Sequence, residues 1–217
     1  MSSWQIRPSI NQVAVQQFTH PRRLPLAETL DVNVNGGAGG AFQAQYIGHG
    51  KSKIAYLLKA GSKSHALVGK VLKLVKEVDI EANTFQELAW TGLYPKIYGV
   101  SSDAIEYNSV GQPVGQWNAW VVDLAIPLDQ YLKQAQLPQG AESKCIIGAI
   151  RCMLHAASHG HIMSDNSLFN FGKLLDDIVV IDAGSRKRTT PPSNSEFNST
   201  CMKRFFSKVQ IVTHKTV

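Results

Sequence analysis

Cysteine is scarce: Cys145, Cys152 and Cys201 are the only three in 217 residues. An odd, widely spaced set excludes a disulfide framework, and reduced thiols in a cytosolic setting are expected. Long apolar runs are also missing. No stretch approaches the roughly 18 residues of a membrane span, and Asp123 interrupts the best candidate, "AWVVDLAIPL". The opening "MSSWQIRPSINQVAVQ" lacks the continuous apolar block of a secretory signal peptide, so none is expected. Charged residues make up 18% against 44% hydrophobic, a balance that excludes a disordered chain and allows a buried core. The length suits one domain or two small ones.

The charge that is present is uneven. From Ala183 onward there are seven Lys and Arg against one acid, Glu196, which accounts for the whole net charge of +6. A basic tail is first of all a solvated, solubilising segment. It is secondly a surface for an acidic protein, a phospholipid head group or nucleic acid. No nucleic-acid-binding module accompanies it, so nucleic acid is not an expected partner.

Residues 1–40 read as a flexible extension, mixed polar and interrupted by Pro8, Pro21 and Pro25, ending in the hinge-like "NGGAGGA". Three β-like runs follow, "FQAQYIGHG", "KIAYLLKA" and "ALVGKVLKLV", the last two joined by the turn "GSKS". Helical spacing of Ile80, Thr84, Phe85 and Leu88 predicts a helix in "DIEANTFQELAW". "PKIYGVSS" and "NAWVVDLAIP" predict two more strands, completing residues 41–126. Residues 127–217 change character, with helices in "LDQYLKQA" and "ESKCIIGAIRCMLHAASHG" and a Ser-, Thr- and Lys-rich tail.

The chemistry concentrates in "IMSDNSLFNFGKLLDDIVVIDAG", residues 162–184. Asp182 ends the apolar run "IVVI" just before Ala183 and Gly184, and Asp165 is followed five residues on by Asn170. An acid at the end of a buried strand is costly to desolvate unless a metal or cation compensates. Carboxylate and amide oxygens are hard ligands suited to Mg²⁺, which takes one or two such groups together with substrate phosphates. The residues therefore suggest a Mg–nucleotide site, with Asn170 and Asp182 on the metal and Asp165 left as a base.

This arrangement resembles the protein kinases, which carry D-x-x-x-x-N, then D-F-G after a strand, downstream of a Gly-rich loop, a strand lysine and a helix glutamate. Here "DNSLFN" and "DAG" stand in that order after "IGHGKSKIAY" and "LVGKVLK". The resemblance implies an α+β, reduced protein-kinase-like fold, with a five-stranded antiparallel N-lobe sheet, one helix and a truncated, mostly helical C-lobe. It implies ATP and Mg²⁺ as cofactors. Gly48 and Gly50 would admit the phosphates, and Lys70 would hold them while pairing with Glu81; Glu87 is the alternative partner and Glu77 a weaker one. Asp123 and Ala125 would bind adenine, and Asp165 would take the proton of the accepting hydroxyl. Only 33 residues follow Gly184, and no A-P-E motif occurs. The chain is thus similar to the minimal kinases that bacteria inject by type III secretion, the OspG, NleH and HopBF kind.

That similarity implies a monomeric virulence effector carrying a secretion signal within residues 1–40. It would phosphorylate Ser or Thr of a host protein in the host cytosol, with a heat-shock chaperone or ubiquitin-conjugating machinery as candidate partners. Several positions depart from the pattern. Lys53 replaces the third loop glycine, Met163 and Ser164 replace His-Arg, and Ala183 replaces the DFG phenylalanine. The alternatives are a catalytically weak module that binds a host protein, or transfer of AMP in place of phosphate. "GHGKS" fails as a P-loop because Gln45 occupies the first glycine position. "HAASH" fails as a zincin motif because Ala156 stands where glutamate is needed, and reads as a pair of helix-surface or loop-packing histidines.

Overall fold

The structure is a computed structural model. It describes residues 4–8, 28–34, 40–50, 53–61, 65–75, 80–108, 110–163, 167–182, 185–187, 193–197 and 202–207. The chain forms two compact units, residues 1–79 with 97–124, and residues 80–96 with 125–217.

The first unit is a barrel. Its strands are β1 (Trp4–Pro8), β2 (Thr29–Val34), β3 (Gly40–His49), β4 (Lys53–Gly61), β5 (Val71–Val75), β6 (Ile97–Tyr107) and β7 (Pro113–Val122), paired in the order β1-β2-β3-β4-β5-β7-β6. Every pair is antiparallel except the closure, where β1 runs parallel to β6 through Gln5↔Ile105 and Ile6↔Glu106. This overturns the expected reduced protein-kinase-like fold with its five-stranded antiparallel sheet. Seven strands close on themselves, and the two extra ones come from the segment expected to be a flexible extension. The physical reason lies in side-chain alternation. Trp4 and Ile6, then Leu30, Val32 and Val34, recur every second residue and point into the barrel, where all are buried. Closure removes the free edges that an open sheet would expose.

The barrel interior is filled by those residues with Phe42, Ala44, Ile54, Tyr56, Leu58, Leu72, Leu74, Ala104, Trp117, Ala119 and Val121. One acid is buried with them. Glu106 accepts a 2.9 Å hydrogen bond from the Trp117 indole, and burial, reinforced by Glu106, raises the Tyr56 hydroxyl well above its ordinary pKa. Gly99 lies against the Trp4 ring: a Cβ there would stand 3.2 Å from Trp4 Cζ2. A run expected as one strand, "ALVGKVLKLV", is divided. His65–Leu67 forms a 3₁₀ turn, Gly69 takes φ +80°, and the strand begins only at Val71. Gly69 N–H and Leu58 N–H close this corner by donating to Leu58 O and Lys70 O.

The second unit holds α1 (Ile80–Leu88), α2 (Leu128–Tyr131), α3 (Ala141–Ser158) and α4 (Asn194–Phe197). It is also more than helical. β8 (Ile126–Pro127), β10 (Phe171–Leu174) and β11 (Asp177–Val180) form one small sheet, and β9 (His161–Met163) pairs with β12 (Ser185–Lys187). The expected mostly helical C-lobe is corrected accordingly. The long helix α3 buries Ala141, Cys145, Ala149, Cys152, Met153, Ala156 and Ala157, and Gly160 at φ +78° stops it. Leu154 is exposed. Cys152 donates its thiol to Ile178 O at 3.3 Å, and burial pushes that thiol up to about 12. Both described cysteines, Cys145 and Cys152, are free and buried.

α3 sits on β11 through a glycine. A Cβ on Gly148 would lie 2.5 Å from Ile178 Cγ1 and 2.6 Å from its Cβ. Gly148→Ala must therefore push helix and strand apart, at a cost of about 1–3 kcal/mol in urea unfolding. Unchanged stability would mean that this packing is wrong. Among the described residues, no helix is long and apolar enough to cross a membrane.

Candidate functional site

Asp182 is positioned by a short chain of backbone bonds. β10 and β11 form a hairpin with register Phe171↔Val180 to Leu174↔Asp177, turning at the exposed Leu175, which adopts φ 54°. Val180 N–H then donates to Leu93 O at 2.9 Å. Beyond the hairpin, Asn170 O accepts both Ile181 N–H at 2.8 Å and Asp182 N–H at 3.2 Å. Asn170 ends the 3₁₀ turn Leu168–Asn170, and its own N–H donates to Ser167 O at 3.0 Å. Two oxygen-bearing side chains, twelve residues apart in sequence, thus spring from hydrogen-bonded neighbours. Asn170 is buried and Asp182 half-buried.

That donor set suits a hard dication: one carboxylate and one amide, with room in the coordination shell for phosphate oxygens. Among the described residues no group of three or more His, Cys, Asp and Glu could hold a metal alone. Asp165, the expected base, lies outside the described residues, as do Ser164 and Ala183. Glu81 belongs to α1, but its side chain is outside the described set, and Glu77 is outside it altogether. Glu87, the alternative partner for Lys70, is half exposed and accepts a 3.0 Å hydrogen bond from Nε2 of the buried His161. Ala125 is buried, and a Cβ on Gly172 would meet its Cβ at 2.9 Å.

The barrel unit carries the other candidates. Lys70 and Asp123, given separate duties by the resemblance, are brought together. Lys70 Nζ donates to Asp123 Oδ1 at 2.6 Å, Tyr98 OH donates to the same oxygen at 2.9 Å, and Nζ lies 4.6 Å from the Tyr98 ring centroid. The hydrogen bond to Asp123 is the main cause that raises the Lys70 pKa, against desolvation. The stability this supplies is fully present below the unfolded lysine value near 10.4 and is lost as pH rises through the higher folded value. Asp123→Ala is expected to cost about 1–2 kcal/mol at pH 7, after allowance for solvent screening. Most of that difference should vanish above the folded Lys70 value; a pH-independent loss in urea titrations would contradict the pairing.

Gly48 and Gly50 need no glycine for their own sake. Neither has a positive φ, and a Cβ at either would meet nothing within 4 Å. Gly48 sits where the β3–β4 register shifts, and Gly50 N–H donates to Lys53 O at 2.8 Å. The missing side chains leave open space beside the backbone, which suits close approach by a ligand.

Sequence reasoning passed over Lys73. It is the central residue of β5, flanked by buried Val71, Leu72, Leu74 and Val75, with Nζ 5.9 Å from the Trp120 ring centroid. The signal was a lone lysine inside the apolar run "VLKLV", whereas Lys70 precedes the strand. Tyr98 and His161 were missed too, since neither carries a motif. No known protein family matches the chain, and no curated protein is similar to it.

Proposed function

We propose that the protein transfers the γ-phosphate of Mg-ATP to a protein hydroxyl. The observation that carries this reading is the double hydrogen bond to Asn170 O, which ties the Asp182 backbone beside Asn170. An amide oxygen and a carboxylate so tethered would hold Mg²⁺, which neutralises charge on the β- and γ-phosphates when bound. Asn170 contributes a neutral ligand on a buried, pre-set turn, and Asp182 contributes the charge. Fixing both in advance avoids reorganisation when negative charge builds on the transferring group. Asp165, on the same short connection by sequence, is assigned to orient the accepting hydroxyl and take its proton. Gly48 and Gly50 are assigned to phosphate for the space beside them, where a Cβ would meet nothing within 4 Å.

The Lys70–Asp123 pair favours a second reading, a weakly catalytic module that binds a host protein, because the amine assigned to phosphate is engaged by a carboxylate. Incubation with Mg²⁺, a eukaryotic lysate and either γ-labelled or α-labelled ATP separates the cases. Protein labelling by the γ label alone is expected. Labelling by the α label means nucleotide transfer, and no labelling by either leaves the binding module.

A further inference from the structure

We infer that Phe205, in the basic C-terminal segment, is a positioning residue for the Asn170–Asp182 site. It braces Phe171, whose peptide link to Asn170 carries the oxygen that tethers Asp182. The inference deepens the Mg-ATP reading and rests on it for the cation, but not for the brace itself.

One peptide unit holds the tether. Its carbonyl, that of Asn170, accepts Ile181 N–H at 2.8 Å and Asp182 N–H at 3.2 Å. Its N–H, that of Phe171, donates to Leu168 O. A peptide unit is planar from one Cα to the next, so the Phe171 Cα sets the direction of Asn170 O as firmly as Asn170 does. Phe171 is fully buried and extended, and its ring meets that of Phe205 edge to face, with centroids 6.1 Å apart and planes at 83°. That is the arrangement aromatic pairs prefer. Any shift of Phe171 reaches the tethered strand at once. Phe171 pairs with Val180, and a Cβ on the next residue, Gly172, would stand 2.8 Å from Ile181 Cγ2.

Phe205 lies in a helical turn, residues 202–207, within the segment expected to be a solvated tail. The turn has two sides. Phe205 is 0% exposed and Phe206 packs on it at 5.7 Å, whereas Lys203 and Arg204 are exposed. Ser207 Oγ donates to Arg204 O at 2.9 Å and closes the turn. The tail's charge thus points to water from a segment that is held by aromatic packing.

Backbone hydrogen exchange of the full chain, followed by NMR without nucleotide, reads the brace directly. In Phe205→Ala the Ile181 and Asp182 amides should exchange about tenfold faster, while the buried α3 amides keep their protection. Phe205→Leu keeps the apolar bulk, so it should fold even where alanine does not, with exchange about threefold faster. Lys203→Ala/Arg204→Ala should exchange at the wild-type rate. Binding of Mn²⁺ with a non-hydrolysable ATP analogue then reads the positioning role, and Phe205→Leu should weaken it by about threefold, in step with the exchange. Wild-type exchange at Ile181 and Asp182 in the Phe205 variants, or equal loosening of α3, would overturn the brace. Faster exchange with undiminished Mn²⁺–nucleotide affinity would overturn the positioning role. Faster exchange in the variants of a protein that binds no Mn²⁺–nucleotide even as wild type would remove the Mg-ATP reading and uphold the brace.

Discussion

Asp182→Ala is expected to lower the rate of γ-phosphate transfer by on the order of 10²–10³-fold while the chain stays folded. The two halves of this expectation rest on different atoms. One structural contact of Asp182 is its backbone N–H, which donates to Asn170 O and survives the substitution. The carboxylate is half-buried and is assigned to the cation. Its loss should leave the cooperative melting transition in place and remove the charge that fixes Mg²⁺ against the phosphates. Asp182→Asn should fall between wild type and alanine, because an amide keeps a ligating oxygen without the charge. Asn170→Ala should lose activity and some stability together, since Asn170 is buried at the end of its turn. Equal labelling in wild type and Asp182→Ala would remove the phosphotransfer reading.

Trp4→Ala is expected to destabilise the barrel unit by about 3–5 kcal/mol. The residue is 2% exposed and packs on Gly99 across the parallel closure of β1 and β6. Its removal leaves a cavity that the closed sheet cannot collapse to fill. Deleting residues 1–34 goes further. It takes away both β1 and β2, opens the edges of β3 and β6, and strips Trp4, Ile6, Leu30, Val32 and Val34 from the core. The expected result is loss of the cooperative urea transition of that unit, with exposed strand edges promoting aggregation. A deletion variant that unfolds at the wild-type midpoint would show that residues 1–34 are the dispensable extension their composition suggests.

Local patterns were legible in the sequence where alternation or helical spacing was long. "FQAQYIGHG" and "KIAYLLKA" fall on β3 and β4 and "DIEANTFQELAW" on α1, whereas "NAWVVDLAIP" is divided between the end of β7 and β8. Barrel closure was not legible. Its strands are short, "WQIRP" and "TLDVNV", and are separated by prolines and polar residues that read as an extension. Closure depends on a parallel pairing about 100 residues away in sequence, which no local window contains. In α3 the helical face expected from Ile146, Ile150, Met153, Leu154 and Ala157 is met in part: Met153 and Ala157 are buried with Cys145, Ala149 and Cys152, Ile146 and Ile150 are half-buried, and Leu154 is exposed. Gly148 lets α3 lie close on β11, and Ile147 and Leu154 look outward. At the candidate site, Asn170 and Asp182 could be named from residue type and spacing, but their shared backbone hydrogen bonds could not. Lys70 was chosen because "VGK" resembled a motif; its partner Asp123 lies 53 residues away and becomes a neighbour only through the β5–β7 pairing.

The most direct test of the Mg–nucleotide site is electron paramagnetic resonance of Mn²⁺ bound with a non-hydrolysable ATP analogue. Wild-type protein should immobilise Mn²⁺ only when the nucleotide is present, and Asn170→Ala/Asp182→Ala should lose that signal while keeping its far-UV circular dichroism. A double variant that binds Mn²⁺–nucleotide as tightly as wild type would contradict the assignment of Asn170 and Asp182.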